Sequence, residues 1–338
     1  MGIKIIKNEK LWIEDSAVQH LEDISLLEGV VDVVGLPDLH NGIVPVGTTI
    51  QVKDRIYPYL IGNDIGCGMS LFHTHVKLKK LNIKLIEKRL ENTKIQGKFS
   101  IGGGNHFAEL QQIEKIYHKD YAKELHLDKQ LLYVLVHSGS RHMGEHIYRQ
   151  YASKELLIEG TQDMQDYLNK HQKAMKFAKE NRKQIAHLLM DKIKLKYDNE
   201  MIVDCFHNYI EYYQGYYYHH KGSVSALQTY AIIAGSRGTY SYLVKCIPQQ
   251  ETLFSLSHGA GRKWPRYLCK GRLMNKYQHI DDLKTTTMGG KVITHQKELL
   301  YEEASEAYKN IEDVIQVLLE YNCIELVAQL KPLVTYKC

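Results

Sequence analysis

The 338-residue sequence contains no run of about 18 apolar residues, so no segment is expected to span a bilayer as a helix. Its first residues, Met1-Gly2-Ile3-Lys4-Ile5-Ile6-Lys7, lack the apolar core and cleavage site of a signal peptide. Cysteine is sparse: six residues, unevenly spaced, do not form a disulfide framework in a chain this long. A cytoplasmic protein with reduced thiols and no membrane association is the expectation. No Lys-Ser/Thr pair follows the glycine run at 102–104, which excludes a P-loop.

What is present is ordinary for a globular chain, with 44% hydrophobic and 25% charged residues. A formal net charge of +5 is compatible with a polyanionic partner without requiring one. The 24 tyrosines are unusual. Tyrosine stacks on bases, although core or surface packing accounts for most such residues.

The sequence is organised around Asn63-Asp64-Ile65-Gly66-Cys67-Gly68. Gly66 and Gly68 tolerate positive φ, which lets Asp64 and Cys67 face one point. A carboxylate and a thiolate facing one point suit a divalent transition metal rather than Mg or Ca. Two ligands are too few, and His106, His137 and His207 are candidates for the rest. The competing reading is a buried structural cysteine in a turn.

In chain order, a helix is expected over Ser16–Leu27, and Trp12 is expected in the core. Pro37–Gly42 reads as a polar turn before the apolar run Ile43–Ile50. The Gly102–Gly104 run allows close backbone approach to a ligand, and Asn105, His106 and Glu109 follow it. Leu131–Val136 reads as a buried strand ending at His137-Ser138-Gly139-Ser140-Arg141, and polar residues at a strand's carboxyl end are where open α/β sheets bind ligands. Arg141 suits phosphate. Residues 145–196 read as helix, broken near Gly160 with Thr161 as an N-cap, and their charges as a solvated face. His219 and His220 fall on a strand, where neighbours point to opposite faces. Gly235–Ser241 is a hydroxyl-rich loop suited to a phosphate or nucleobase. His258 stands among Ser257, Gly259, Ala260 and Gly261, which leave room for a bulky electrophile at a ring nitrogen, and Arg262 can balance phosphate charge. Helices are expected at Gln296–Tyr308 and Ile311–Tyr321. The apolar tail to Cys338 is expected to pack with Lys337 inward.

Eight motifs in order carry a resemblance: Asp38-Leu39-His40-x-Gly42, Asp64–Gly68, Gly103-x-Asn105-His106-Phe107-x-Glu109, His137–Arg141, His207-Asn208, Lys221-Gly222, Gly235–Tyr242 and His258–Arg262. Together they resemble the RtcB RNA ligase family, from about Trp12 to Lys337. The short chain and the Trp12-Ile13-Glu14 opening are similar to the branch associated with peptide release factor H. The resemblance implies one compact α+β domain over 1–338, with mixed β-sheets and surrounding helices and the helical segment at 145–196 inside it.

It also implies GTP and two Mn²⁺ ions as cofactors. The implied metal ligands are Asp64, Cys67, His106, His137 and His207, with Cys67 shared between the ions. His258 matches the guanylylated histidine. Asn105, Glu109, Asn208, Ser236, Ser241, Ala260, Gly261, Tyr308 and Lys337 match guanylate-contacting positions, and Arg141 and Arg262 match phosphate-binding ones. The implied reaction joins an RNA 3′-phosphate or 2′,3′-cyclic phosphate to a 5′-hydroxyl through histidine–GMP and an RNA-ppG end. A link to release factor H or a damaged ribosome follows from the resemblance alone. Ser257 replaces a common cysteine, a tolerable change; Ala234 replaces a common proline and Arg237 an apolar residue, and these two leave the shape of the guanine pocket open. Two alternatives are a same-fold enzyme that only opens cyclic phosphates and a non-catalytic RNA- or ribosome-binding module.

Overall fold

Strands that alternate apolar and polar residues, with one wholly apolar stretch at Leu131–Val136, pair into one large sheet. The computed structural model describes residues 2–197 and 200–337; Met1 and Cys338 lie outside them. The sheet has eight strands. In spatial order they are Tyr230–Ile233, Ser241–Cys246, Ile324–Lys337, Phe107–Ile116, Leu131–Ser138, Gly68–Lys77 and Met201–Phe206, with Lys291–Thr294 parallel to the end of 324–337. A second sheet has five strands: Gly2–Ile5, Val30–His40, Val46–Val52, Tyr216–Lys221 and Asn208–Tyr213.

Eight helices surround these sheets among the described residues: α1 (Asp15–Ser25), α2 (Ile83–Glu91), α3 (Lys119–Glu124), α4 (His142–Tyr151), α5 (Gln162–Lys192), α6 (Arg266–Leu273), α7 (Glu298–Glu302) and α8 (Ile311–Glu320). The result is a mixed α/β fold in one compact domain. Helix α5 starts as its sequence dictates, with the Thr161 hydroxyl accepting from Met164 N at 3.4 Å. Its Ile185, Ala186 and Leu189 pack with Leu132, Val134, Val136 and Phe72. Each such large apolar side chain contributes roughly 1.5–3 kcal/mol on burial.

Antiparallel pairing positions the site. Residues 107–116, 131–138, 68–77 and 201–206 are successive antiparallel neighbours, with Phe107 opposite His137, and Gly68 opposite both Ser138 and Phe206. One end of the sheet therefore collects the starts of two strands and the ends of two others. His106, His137, Cys67 and His207 sit at those four points. Lys337 joins them because 324–337 pairs antiparallel with 107–116. The grouping differs from the rule for parallel sheets, in which only carboxyl ends meet.

Local expectations changed in four places. Pro37–His40 belongs to the strand Val30–His40 rather than to a turn. Trp12 is 56% exposed, because it precedes α1 on the outer surface. The helical stretch expected from 145 begins at His142 and gives way to an extended pair, Leu157–Ile158, that bonds to Arg55–Ile56. The helix expected over Gln296–Tyr308 ends at Glu302, where the chain turns the Glu303 carboxylate inward onto Arg262, Arg266 and Tyr308.

Candidate active site

Gly66 and Gly68 shape the central loop differently. Gly66 takes φ +74°. Gly68 does not need a left-handed backbone; a Cβ there would lie 2.3 Å from the Cys205 carbonyl oxygen. The loop is held from below by α5. Arg182 is fully buried, and its Nη1 donates to Gly66 O and Ser138 O, both at 2.9 Å. Its Nε donates to Ser70 Oγ at 2.8 Å and its Nη2 to Asp204 Oδ1 at 2.8 Å. Asn181, beside it, donates to Gly139 O and Ser100 O. The segments that carry Cys67, His137 and Arg141 thus hang from two consecutive helical residues. The sequence signal was a charged residue inside the apolar stripe Ala178, Ile185, Leu189; reading α5's charges as a solvated face missed it.

Five donor side chains converge above this support. Cys67 Sγ lies 3.2 Å from His106 Nε2 and 3.3 Å from His137 Nε2. His137 Nε2 lies 3.2 Å from His207 Nε2, and His106 Nε2 lies 3.0 Å from Asp64 Oδ2. They form two groups of three, Asp64–Cys67–His106 and Cys67–His137–His207, each with its donor atoms within 4.8 Å of one another, sharing the thiol. Burial pushes the His137 and His207 imidazoles well below their ordinary pKa, which keeps them neutral with a lone pair to offer. Burial, then the Asp64 charge, pushes the Cys67 thiol up. A divalent cation reverses that, since a coordinating thiol is deprotonated outright. The nitrogen, sulfur and carboxylate set fits transition-metal ions.

His258 stands next to this cluster, its ring centroid 4.8 Å from that of His207. Asp38 Oδ2 lies 2.6 Å from His258 Nδ1 and accepts from His258 N at 3.1 Å. Asp38 is fully buried. Burial acts to raise its carboxyl pKa, but the hydrogen bond and charge of His258 outweigh it, so the group lies below its ordinary value. An ionised Asp38 requires Nδ1 to carry the proton, which leaves the Nε2 lone pair free. The small residues after His258 serve close packing: Gly261 has φ +71° and a Cβ there would lie 2.3 Å from Asp38 O. The sequence offered Asp38 only as an acid in a polar loop.

A third cluster closes the cavity. Glu303, 4% exposed, receives Arg262 Nη1 at 3.0 Å, Arg266 Nε at 3.4 Å and the Tyr308 hydroxyl at 2.5 Å, with Lys337 Nζ at 3.7 Å. Burial opposes its ionisation, yet Lys337, Arg266 and Arg262 hold its pKa at about 2. Nearby, burial raises Glu109 to about 7 against hydrogen bonds from Thr335 and Gln111. Nothing near Glu303 in sequence announced it. Arg262 is committed to this carboxylate, with Nη2 also donating to Glu302 O at 2.7 Å.

These clusters line one cavity of about 450 Å³. Asn105, Glu109, Asn208, Ser236, Ala260, Gly261, Tyr308 and Lys337 are on its wall, as are the five donor residues, His258 and Arg262. Arg141 and Ser241 are not: Ser241 Oγ accepts from Gly235 N at 3.2 Å, and the Arg141 side chain lies over Gly102, where a Cβ would be 2.2 Å from its Cζ. Arg237 is buried and donates to Leu299 O and Leu300 O, fastening α7 to the cavity rim.

The family model for tRNA-splicing ligase RtcB matches residues 20–99 and 86–338. The chain belongs to the RtcB family. It is 40% identical to the RNA-splicing ligase RtcB2 of Escherichia coli ATCC 25922, over 98% of this chain and 94% of that one. It is 26% identical to the tRNA-splicing ligase RtcB of Nanoarchaeum equitans and 25% identical to the RNA-splicing ligase RtcB of Escherichia coli K12, in each case over more than nine-tenths of both chains. Among the described residues of this RtcB relative, no helix is long and apolar enough to cross a membrane.

Proposed function

We propose that the protein is a GTP- and Mn²⁺-dependent RNA ligase that joins an RNA 3′-phosphate or 2′,3′-cyclic phosphate end to a 5′-hydroxyl. The observation that carries the proposal is the Asp38–His258 pair, which aims a free Nε2 at the cavity beside five converging donors. Bound at Asp64, Cys67, His106, His137 and His207, two Mn²⁺ ions would supply positive charge to phosphate oxygens.

The remaining chemistry belongs to the chain. His258 Nε2 attacks the α-phosphorus of GTP, a P–N bond forms, and pyrophosphate leaves with the electrons of the broken P–O bond. Asp38 holds the Nδ1 proton and stabilises the imidazolium that develops, as the carboxylate does in other His–Asp pairs. An RNA 3′-phosphate oxygen then displaces His258 and takes the GMP, and a 5′-hydroxyl attacks that end as GMP leaves. A cyclic phosphate is first opened by water. Lys337, buried and held by Glu303, faces the guanylate with Asn105, Glu109, Asn208, Ser236, Ala260, Gly261 and Tyr308, while Ser241 fixes the Gly235 turn and Arg141 meets RNA phosphate. Positioning and charge stabilisation supply most of the rate in such transfers. A role with peptide release factor H or damaged ribosomes is part of the same proposal and rests on the family resemblance alone.

Incubation with labelled GTP and Mn²⁺ tests it. A covalent label that is acid-labile, alkali-stable, mapped between Ser257 and Arg262 and absent from His258→Ala is expected. Metal binding with no label favours an enzyme that only opens cyclic phosphates.

A further inference from the structure

The proposed site accounts for the reacting ends but leaves the rest of the RNA strand without a resting place. A second feature lies beside it. Within residues 170–183 of α5, five lysines, at 170, 173, 176, 179 and 183, recur every three or four residues against one acid, Glu180. Lys170 donates to Gln150, and Lys179 approaches Asp204 at 4.0 Å. Among the described residues, Lys173 and Lys176 are exposed and have no carboxylate within ion-pair distance.

One turn after Lys173 stands Phe177, partly exposed, whose ring stacks on Phe99 with centroids 5.9 Å apart and planes 18° apart. Lys98 Nζ lies 5.4 Å from the Phe99 centroid. An aromatic pair left half in water, flanked by lysines, offers bases a π-face and phosphates a charge. Its place relative to the site is fixed. Ser100, next to Phe99, bonds to Asn181 through both backbone N and O, and Ile101 O accepts from Ser138 Oγ at 2.8 Å. Gly102, over which the Arg141 guanidinium lies, is three residues from Phe99, a reach of about 10 Å at most.

We propose that Phe99 and Phe177, with Lys98 and Lys173, form a platform for single-stranded RNA leading to the reacting end. The proposal rests on the ligase reading and adds the element that holds the strand. Stacking on such a platform is sequence-tolerant, and the lysines make binding salt-dependent.

The test is equilibrium binding of a fluorescent single-stranded RNA bearing a 3′-phosphate to the full chain, read by anisotropy. Phe99→Leu/Phe177→Leu keeps an apolar bridge between the 94–100 segment and α5 but removes the π-faces; Phe99→Tyr/Phe177→Tyr keeps both. The Leu pair is expected to weaken binding roughly tenfold, or about 1.4 kcal/mol, through lost base stacking, and the Tyr pair to bind like the wild type. Lys98→Gln/Lys173→Gln is expected to flatten the salt dependence by about 0.7 in slope for each phosphate that is no longer neutralised. Wild-type affinity in the Leu pair, or equal loss in the Tyr pair, overturns the platform and leaves a purely structural clasp. GMP labelling of the wild type is scored separately: its absence would count against the ligase reading, while the binding series still decides the platform.

Discussion

Asp38 Oδ2 and His258 Nδ1 lie 2.6 Å apart although 220 residues separate them in the chain. This contact decides which ring nitrogen is free, and it exists only because the end of the strand Val30–His40 and the His258–Arg262 loop pack backbone to backbone at Gly261. Asp38→Asn should keep the shape and lose the orientation, since an amide NH₂ facing Nδ1 favours the other tautomer. The rate of GMP labelling is expected to fall, by as much as the roughly 10⁴-fold that the same change costs in a Ser-His-Asp triad, with little change in the melting temperature. Labelling at the wild-type rate would show that Asp38 does not orient the ring.

Cys67 is the one donor common to both groups of three. Cys67→Ala is therefore expected to lose Mn²⁺ binding at one or both positions while the fold persists, because among the described residues neither group of three holds a second thiol. Calorimetric titration reads stoichiometry directly; undiminished stoichiometry and affinity would remove Cys67 from the site.

Arg182 is the support beneath that site. Arg182→Met removes the guanidinium from Asp204 and from the Gly66 and Ser138 carbonyls, and a broken buried pair costs about 3–5 kcal/mol. Urea unfolding should show that loss. Arg182→Lys should recover little of it, because one ammonium cannot reach the four positions that a planar fork reaches. Full recovery by lysine would mean that charge, not geometry, is what the segment needs.

Glu303 makes acid stability site-specific. Its folded pKa of about 2 lies below the ordinary 4.5, so between those values the unfolded chain binds the extra proton. The stability it contributes is complete above pH 4.5 and disappears as the pH falls toward 2. Glu303→Gln should be less stable than wild type at neutral pH, and the gap should close over that window. A gap that stays constant down to pH 2.5 in denaturant titrations would contradict the assignment.

The candidate site was legible where its chemistry is local. Asp64 and Cys67 share one turn, and His106, His137 and His207 each flank an apolar strand whose pattern marks where it starts or stops. The residues that hold these in place were not legible. Arg182 looks like any other charge of a lysine-rich helix until its position on the buried stripe is known. Glu303 sits in a run of acids, and only the fold shows which one turns inward. Asp38 was visible as an acid, but its partner depends on how two sheets meet. Long-range pairing of this kind has no local pattern, and the same holds for Trp12, whose size suggested burial and whose position at the α1 entrance exposes it.

The strand Ile324–Lys337 lies between Ser241–Cys246 and Phe107–Ile116 in the middle of the large sheet, yet it is translated after every strand it pairs with. Until it emerges from the ribosome, two apolar strands face each other across a missing neighbour. Their unpaired backbone groups are open to other chains. From the synthesis of Cys246 until that strand emerges, the nascent protein therefore carries an aggregation hazard, and holdase chaperones or slow growth should favour recovery of folded protein. Closing that gap is also what brings Lys337 to Glu303, so the strand that completes the sheet also completes the cavity.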